Sequence, residues 1–309
     1  MADPAASPRT RQGKAFVEAD ERPPGRALRE SFGRLWRDDR PAVAIPRDIA
    51  VVAIVLILVL AGLWTYTGQP FPTTSPLVVV ESESMVHPNA PYGRVGTIDP
   101  GDLVLVKDVT DVEAVATAYG GGDRTGYGGK GDVLIYRPLG NTERTPIIHR
   151  AMTWVEVREV GTDENGGPIR RYTYHDTAGA LLSNEPSVTL AKIGIHGRQF
   201  PASGFITKGD NPDENPIADQ VGLVRDRLVE PAWIVGVGRG EIPWLGLVKL
   251  ALGGNPEPAN QEGECNVLAA WAPCDTWIML AASFVVLIGV PFTLDRVARR
   301  SERVRGWLR

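Results

Sequence analysis

Between Thr145 and Val160 the chain reads TPIIHRAMTWVEVREV, and between Gly131 and Pro138 it reads GDVLIYRP. Both runs are short, rich in β-branched and aromatic side chains, and bounded by Gly, Pro, Asn or Asp clusters. That is the grammar of strands ending in turns, not of helices. WVEVREV alternates apolar and charged side chains, which predicts a half-exposed strand. Outward from this stretch the same grammar recurs in PLVVVES (76–82), GDLVLVKDV (101–109), IRRYTYHD (169–176), FITKGD (205–210) and AWIVGVGRG (232–240). The glycine-rich YGGGDRTGYGGKG (119–131) and NPDENP (211–216) read as loop insertions. The expectation is a mainly β domain of short, largely antiparallel strands with a small helical supplement. IPWLGLVKLALGG (242–254) departs from the pattern, being apolar except for Lys249. It is too short to span a bilayer and suits either a helix packed on the β core or one lying in a membrane interface.

Two uncharged runs flank this domain. From Ile49 to Val80 there is no charged residue, and IAVVAIVLILVLAGLWTYT is almost continuously apolar. A second run, Thr276 to Leu294, is fenced by Asp275 and Asp295. A helix of about 20 mainly apolar residues crosses a bilayer core of roughly 30 Å, so both runs are expected to span. Trp64, Tyr66 and Trp277 sit where interfacial aromatics belong. The first run starts too late, after a polar segment of 48 residues, to be a cleavable signal. The expected organisation is a cytoplasmic Arg/Pro-rich tail (1–47), a transmembrane helix (48–67), an extracytoplasmic β domain (68–275), a second transmembrane helix (276–294) and a basic cytoplasmic tail (295–309).

Charge sets the orientation. Residues 1–48 hold ten Lys and Arg, and the last fifteen residues hold six Arg, whereas residues 69–275 hold 17 Lys and Arg against 27 Asp and Glu. Positive flanks stay inside, which puts both termini in the cytoplasm and the domain on the outer face of the cell membrane. Leu28, Phe32, Leu35 and Trp36 share one helical face among arginines, a pattern that fits a short helix on the inner leaflet or a disordered basic tail. Over all 309 residues the net charge is −4, with 43% hydrophobic residues, 34 Gly and 25 Pro. This excludes a wholly disordered or collagen-like chain and argues against nucleic acid as a partner. Cys265 and Cys274, nine residues apart, either pair in an oxidising exterior or remain thiols. No His, Cys or Glu grouping has metal-ligand spacing, and no phosphate-binding or dinucleotide fingerprint appears, so no metal or cofactor is expected.

Taken singly, the candidate catalytic residues are ordinary. Ser84 follows the apolar run VVVESE, His149 ends PIIH, Asp210 ends TKGD, and Asp219 follows NPDENPIA. A serine at a strand end, a lone histidine and carboxylates in turns each have commonplace structural uses. Their combination and order carry more. ESESMVHP, PGDLVLV, GDVLIYRP with PIIHRA, ITKGDN with ADQ, and finally GRGEIPWLG resemble type I signal peptidase, in the archaeal and endoplasmic-reticulum branch that uses histidine. The resemblance covers about Val78 to Gly253.

What the resemblance implies is a signal-peptidase-like β domain carrying a Ser-His-Asp site. Ser84 matches the nucleophile and His149 the general base that replaces the lysine of bacterial relatives. The family has two aspartates six residues apart, but six beyond Asp210 lies Pro216. A three-residue insertion in NPDENPIADQ restores the spacing, making Asp219 the partner of His149 and Asp210 a supporting carboxylate, with Asp213 an outsider. The Ser82 hydroxyl matches the position that assists the oxyanion in bacterial relatives, and the Ser84 N–H is a natural second donor. His87, His175 and His196 read as surface groups. The implied activity is a membrane-anchored serine endopeptidase, signal peptidase I. Its partners would be signal-peptide-bearing preproteins, the lipid bilayer and the protein-export translocon. Two alternatives remain: a non-cleaving, preprotein-holding subunit of an export complex, or a same-fold membrane peptidase with a narrower substrate set.

Overall fold

The computed structural model describes residue 36 and residues 40–71, 74–87, 96–120, 122–253, 264–267, 270–286, 289 and 293. The chain divides after Ala61 into two compact units. The helix α1, Pro41–Thr67, supplies most of what is described of the first. It is the one helix among the described residues long and apolar enough to cross a membrane, and none of its most apolar stretch is buried within the chain. Near its start the Arg47 guanidinium stands 5.8 Å from the centroid of the Trp36 ring. Leu28, Phe32 and Leu35, the rest of the expected amphipathic face, lie outside the described residues.

The second unit is built on antiparallel strands: β1 Leu77–Val79, β2 Leu103–Lys107, β3 Thr125–Gly126, β4 Gly129–Lys130, β5 Val133–Tyr136, β6 Ile147–Thr162, β7 Pro168–His175, β8 Leu181–Glu185, β9 Val188–Leu190, β10 Ile195–Arg198, β11 Gly204–Lys208, β12 Ile234–Ile242, β13 Glu264–Val267 and β14 Ala270–Pro273. Eight of them form one sheet in the order β1-β2-β12-β5-β6-β7-β8, with β11 also on β6. The long β6 takes β5 along Ile147–Arg150, β11 along Arg150–Val155 and β7 along Val155–Thr162. β1 is an edge strand, paired only with β2 among the described residues.

VLIY of β5 is buried at every position because the sheet is covered on both faces there. Leu134 and Tyr136 face a core with Ala151, Phe205 and Val237. Val133 and Ile135 face another with Val80, Met85, Val104 and Ile148. A third core gathers Tyr172, Tyr174, Ile195 and Phe200 under β7 and the β9–β10 hairpin. Together these make the mainly β, antiparallel architecture that the sequence predicts.

The glycine-rich segment 119–131 is not simply a loop. It contains the β3–β4 hairpin, whose turn residues Tyr127 and Gly128 both have positive φ, 51° and 77°. Within IPWLGLVKLALGG, Gly246–Gly253 forms the helix α2. Leu247 and Leu250 bury against Val79, while Leu252 is 87% exposed. Cys265 and Cys274 form a disulfide across the base of the β13–β14 hairpin. The apolar helix α3, Cys274–Val286, follows directly and is shorter than α1. Most of the rest of the expected second span, and the tail 295–309, lie outside the described residues.

Candidate active site

After β1 the backbone continues its pairing through Val80 N to Asp102 O, then turns, closed by Val86 N donating to Glu83 O at 3.0 Å. Ser84 lies half-buried in this turn. Met85, 1% exposed, plugs the core shared with Ile148, the residue before His149. Asn211 fastens the turn from the other side. Its N–H donates to Ser84 O and its Nδ2 to Glu83 O, both at 3.0 Å. A Cβ on Gly209 would stand 2.5 Å from Ser84 O, so the approach requires glycine there. The Ser82 hydroxyl donates to Ser84 Oγ at 3.3 Å. Among the described residues the Ser84 N–H makes no hydrogen bond, and Ser84 Oγ makes none to His149.

His149 stands on β6 opposite Leu134, with its ring almost wholly buried. Nδ1 lies 2.9 and 2.8 Å from Asp219 Oδ1 and Oδ2. A carboxylate only accepts, so Nδ1 carries the proton and Nε2 of the neutral ring holds the lone pair. Asp219 opens a short 3-10 turn, Asp219–Val221, held in place where Ala218 N donates to Ile193 O. Its Oδ2 also accepts from Tyr136 OH at 2.8 Å and Thr207 Oγ1 at 2.6 Å. Burial, reinforced by the Asp219 charge, pushes the Tyr136 hydroxyl well above its usual range, so it stays a donor. Three sheet strands and one turn thus converge on a single desolvated carboxylate, which is how a buried charge is tolerated.

Asp210 does other work. It takes a forked pair from Arg150: Nε lies 2.8 and 3.1 Å from its two oxygens, and Nη2 also contacts Oδ2. Arg150 itself is 3% exposed, and its remaining donors go to backbone carbonyls of the β3–β4 hairpin. Of the two expected aspartates, therefore, Asp219 contacts His149 and Asp210 contacts its neighbour Arg150. Asp213 is exposed. Lys208 lies nearby with its ammonium on Gly209 O at 2.7 Å. Burial lowers its pKa against the opposing pull of Asp210 and Asp219.

Sequence reasoning missed Tyr136, Thr207 and Arg150. The signals were faint: a lone hydroxyl within each of the buried runs VLIY and FIT, and a charge one residue past the histidine. His87, expected on the surface, is half-buried and bonded through Nε2 to Tyr127 O at 2.9 Å. His196 is exposed and His175 half-buried. Among the described residues no group of three or more His, Cys, Asp or Glu is arranged to hold a metal ion. No family model, no curated protein and no solved structure matches this chain.

Proposed function

We propose that the chain is a membrane-anchored serine endopeptidase that removes N-terminal signal peptides from exported preproteins at the outer face of the membrane. One observation carries the reading. A histidine and an aspartate 70 residues apart meet in a buried hydrogen bond, and the turn of Ser84 shares a core with the strand that bears the histidine. A serine hydroxyl is a poor nucleophile at neutral pH unless a base takes its proton, and an imidazole oriented by a carboxylate is suited to that task.

In the proposed reaction Ser84 Oγ attacks the scissile carbonyl while its proton passes to His149 Nε2. The new C–O bond gives a tetrahedral oxyanion, for which the Ser84 N–H and the Ser82 hydroxyl are the candidate donors. Collapse breaks the C–N bond, and His149 returns the proton to the leaving amine, the new N-terminus of the exported protein. Water then repeats the sequence. His149 takes its proton, the ester bond breaks, Ser84 is restored, and the signal peptide leaves as a carboxylate. Asp219 stays ionised throughout and stabilises the imidazolium. The Ser84–His149 hydrogen bond that this requires would have to form with substrate bound.

Substrate access is consistent with this chemistry. Among the described residues the outer edge of β1 carries no partner strand, and Ile147–His149 of β6 is paired on one flank only. An extended peptide can add along such an edge by main-chain hydrogen bonds, and the reading expects small side chains next to the cut. We place α1 and the run 276–294, whose first part lies in the described α3, across the bilayer with both termini in the cytoplasm. The Cys265–Cys274 disulfide fits an oxidising exterior. The outward side chains of α2, Leu252 above all, suit contact with lipid.

The missing Ser84–His149 bond is the observation that favours the rival, a non-cleaving subunit that holds preproteins. Depletion in cells separates the readings. A general signal peptidase leaves many exported proteins with uncut N-termini, and these are rescued by the wild-type chain but not by Ser84→Ala. A peptidase with narrower substrates leaves only a few uncut. Rescue by Ser84→Ala would exclude cleavage by this chain.

A further inference from the structure

The β3–β4 hairpin is short, glycine-rich and unrelated in sequence to the strands around it, yet it is fastened at its tip rather than left hanging. The Tyr127 ring packs on the core that holds Met85. Its hydroxyl accepts from Gly240 N at 2.7 Å, and burial raises its pKa to about 12. Two side chains grip the hairpin's backbone. Arg150 donates to Gly126 O at 3.1 Å, Tyr127 O at 3.0 Å and Gly131 O at 2.8 Å. His87 reaches the same Tyr127 O at 2.9 Å.

His87 also lies 3.4 Å from Asp210 Oδ2. Both neighbours of its Nε2 are acceptors, so that nitrogen carries hydrogen whether the ring is neutral or charged. The tip presses on the imidazole so closely that a Cβ on Gly128 would stand 2.8 Å from Nε2. His87 is three residues beyond Ser84, on the far side of the same turn. The turn is therefore gripped twice: at Ser84 O by Asn211, and at His87 by Tyr127 O and Asp210. Arg150, next to His149, holds both of His87's partners.

We propose that His87 is a positioning residue, and that it and the glycine hairpin form a clamp fixing the Ser84 turn against the strand that carries His149. The proposal rests on the reading of Ser84 and His149 as nucleophile and base, but its physical half can be tested without that chemistry. The clamp needs one N–H aimed at Tyr127 O, not a titrating ring. Glutamine at position 87 can supply that donor; alanine and phenylalanine cannot.

The experiment compares the full chain in detergent with His87→Gln, His87→Ala and His87→Phe, all checked for folding by thermal unfolding. Backbone hydrogen exchange over 125–131 should accelerate at least tenfold in the Ala and Phe variants and stay near wild type in Gln. Preprotein cleavage should lose about tenfold in kcat with KM little changed in Ala and Phe, as expected for a displaced nucleophile. In Gln it should recover to within about threefold. Should both apolar variants fail to fold, His87→Asn, whose amide is too short to reach Tyr127 O, is expected to show the same kcat loss and faster exchange. Unchanged exchange in the folded variants overturns the clamp outright. Faster exchange with unchanged kcat overturns its link to Ser84. If the wild-type chain cleaves nothing, the catalytic reading fails separately, and exchange alone still decides whether His87 holds the hairpin.

Discussion

Asp219 sits where almost no water reaches it, and the groups around it say what its carboxyl is for. Tyr136 and Thr207 each donate to it, while His149 keeps a second nitrogen that makes no hydrogen bond among the described residues. Asp219→Asn should keep the fold but present the ring in the wrong tautomer, lowering cleavage by about 10²- to 10⁴-fold. Tyr136→Phe removes one donor to the carboxylate, with an expected loss of about 1.5–3 kcal/mol in stability and a smaller loss of activity. The two aspartates should differ in kind. Asp210→Ala strands a buried guanidinium, costing about 3–5 kcal/mol of stability. Asp219→Ala should hurt turnover more than Asp210→Ala, each measured on folded protein. Calorimetry beside single-substrate kinetics distinguishes the two, and a reversed kinetic ranking would overturn the assignment of Asp219 to His149.

Among the elements, the turn Gly209–Asn211 is the one the site can least afford to move. Gly209→Ala would drive a methyl against Ser84 O, and the expected outcome is lost cleavage with the β-sheet circular dichroism retained. The contrasting change is Gly246→Ala, whose Cβ would lie 2.6 Å from Gly101 O. It should loosen α2 while leaving residual cleavage in detergent. Strands of the main sheet were readable because buried β-branched runs such as VLIY and LVLV have few other uses. LLSNE of β8 gave no such signal, being polar on a strand half in solvent. The β3–β4 hairpin was hidden because its turn places a tyrosine, not the usual Asn or Gly, at positive φ. For α2 the sequence left two environments open, and the helix packs on the β domain through Leu247 while Leu252 stays exposed. Ser84, His149 and both aspartates were legible only as an ordered set. Tyr136, Thr207 and His87 were not, since their roles arise from strand register and a turn rather than from spacing.

At the scale of the whole molecule, stability should depend on pH through two carboxyls outside the proposed catalytic set. Burial pushes Asp102 up to about 7, against the backbone N–H groups of Trp244 and Asp99. Burial likewise raises Glu241 to about 7. An acid whose folded pKa exceeds its unfolded value holds a proton that the unfolded chain has already released. Stability from these groups therefore falls as pH rises from about 4 to about 7, and is level beyond. Glu241→Gln should flatten that fall, so its melting temperature gains on wild type between pH 5 and pH 8; parallel curves would contradict the assignment. The central claim concerns cleavage itself. Purified full-length chain, incubated with a preprotein and followed by mass determination of the products, is predicted to give one cut after a small residue. That cut should vanish in Ser84→Ala and in His149→Ala. An intact preprotein with wild type, or the same cut with either variant, would contradict the account.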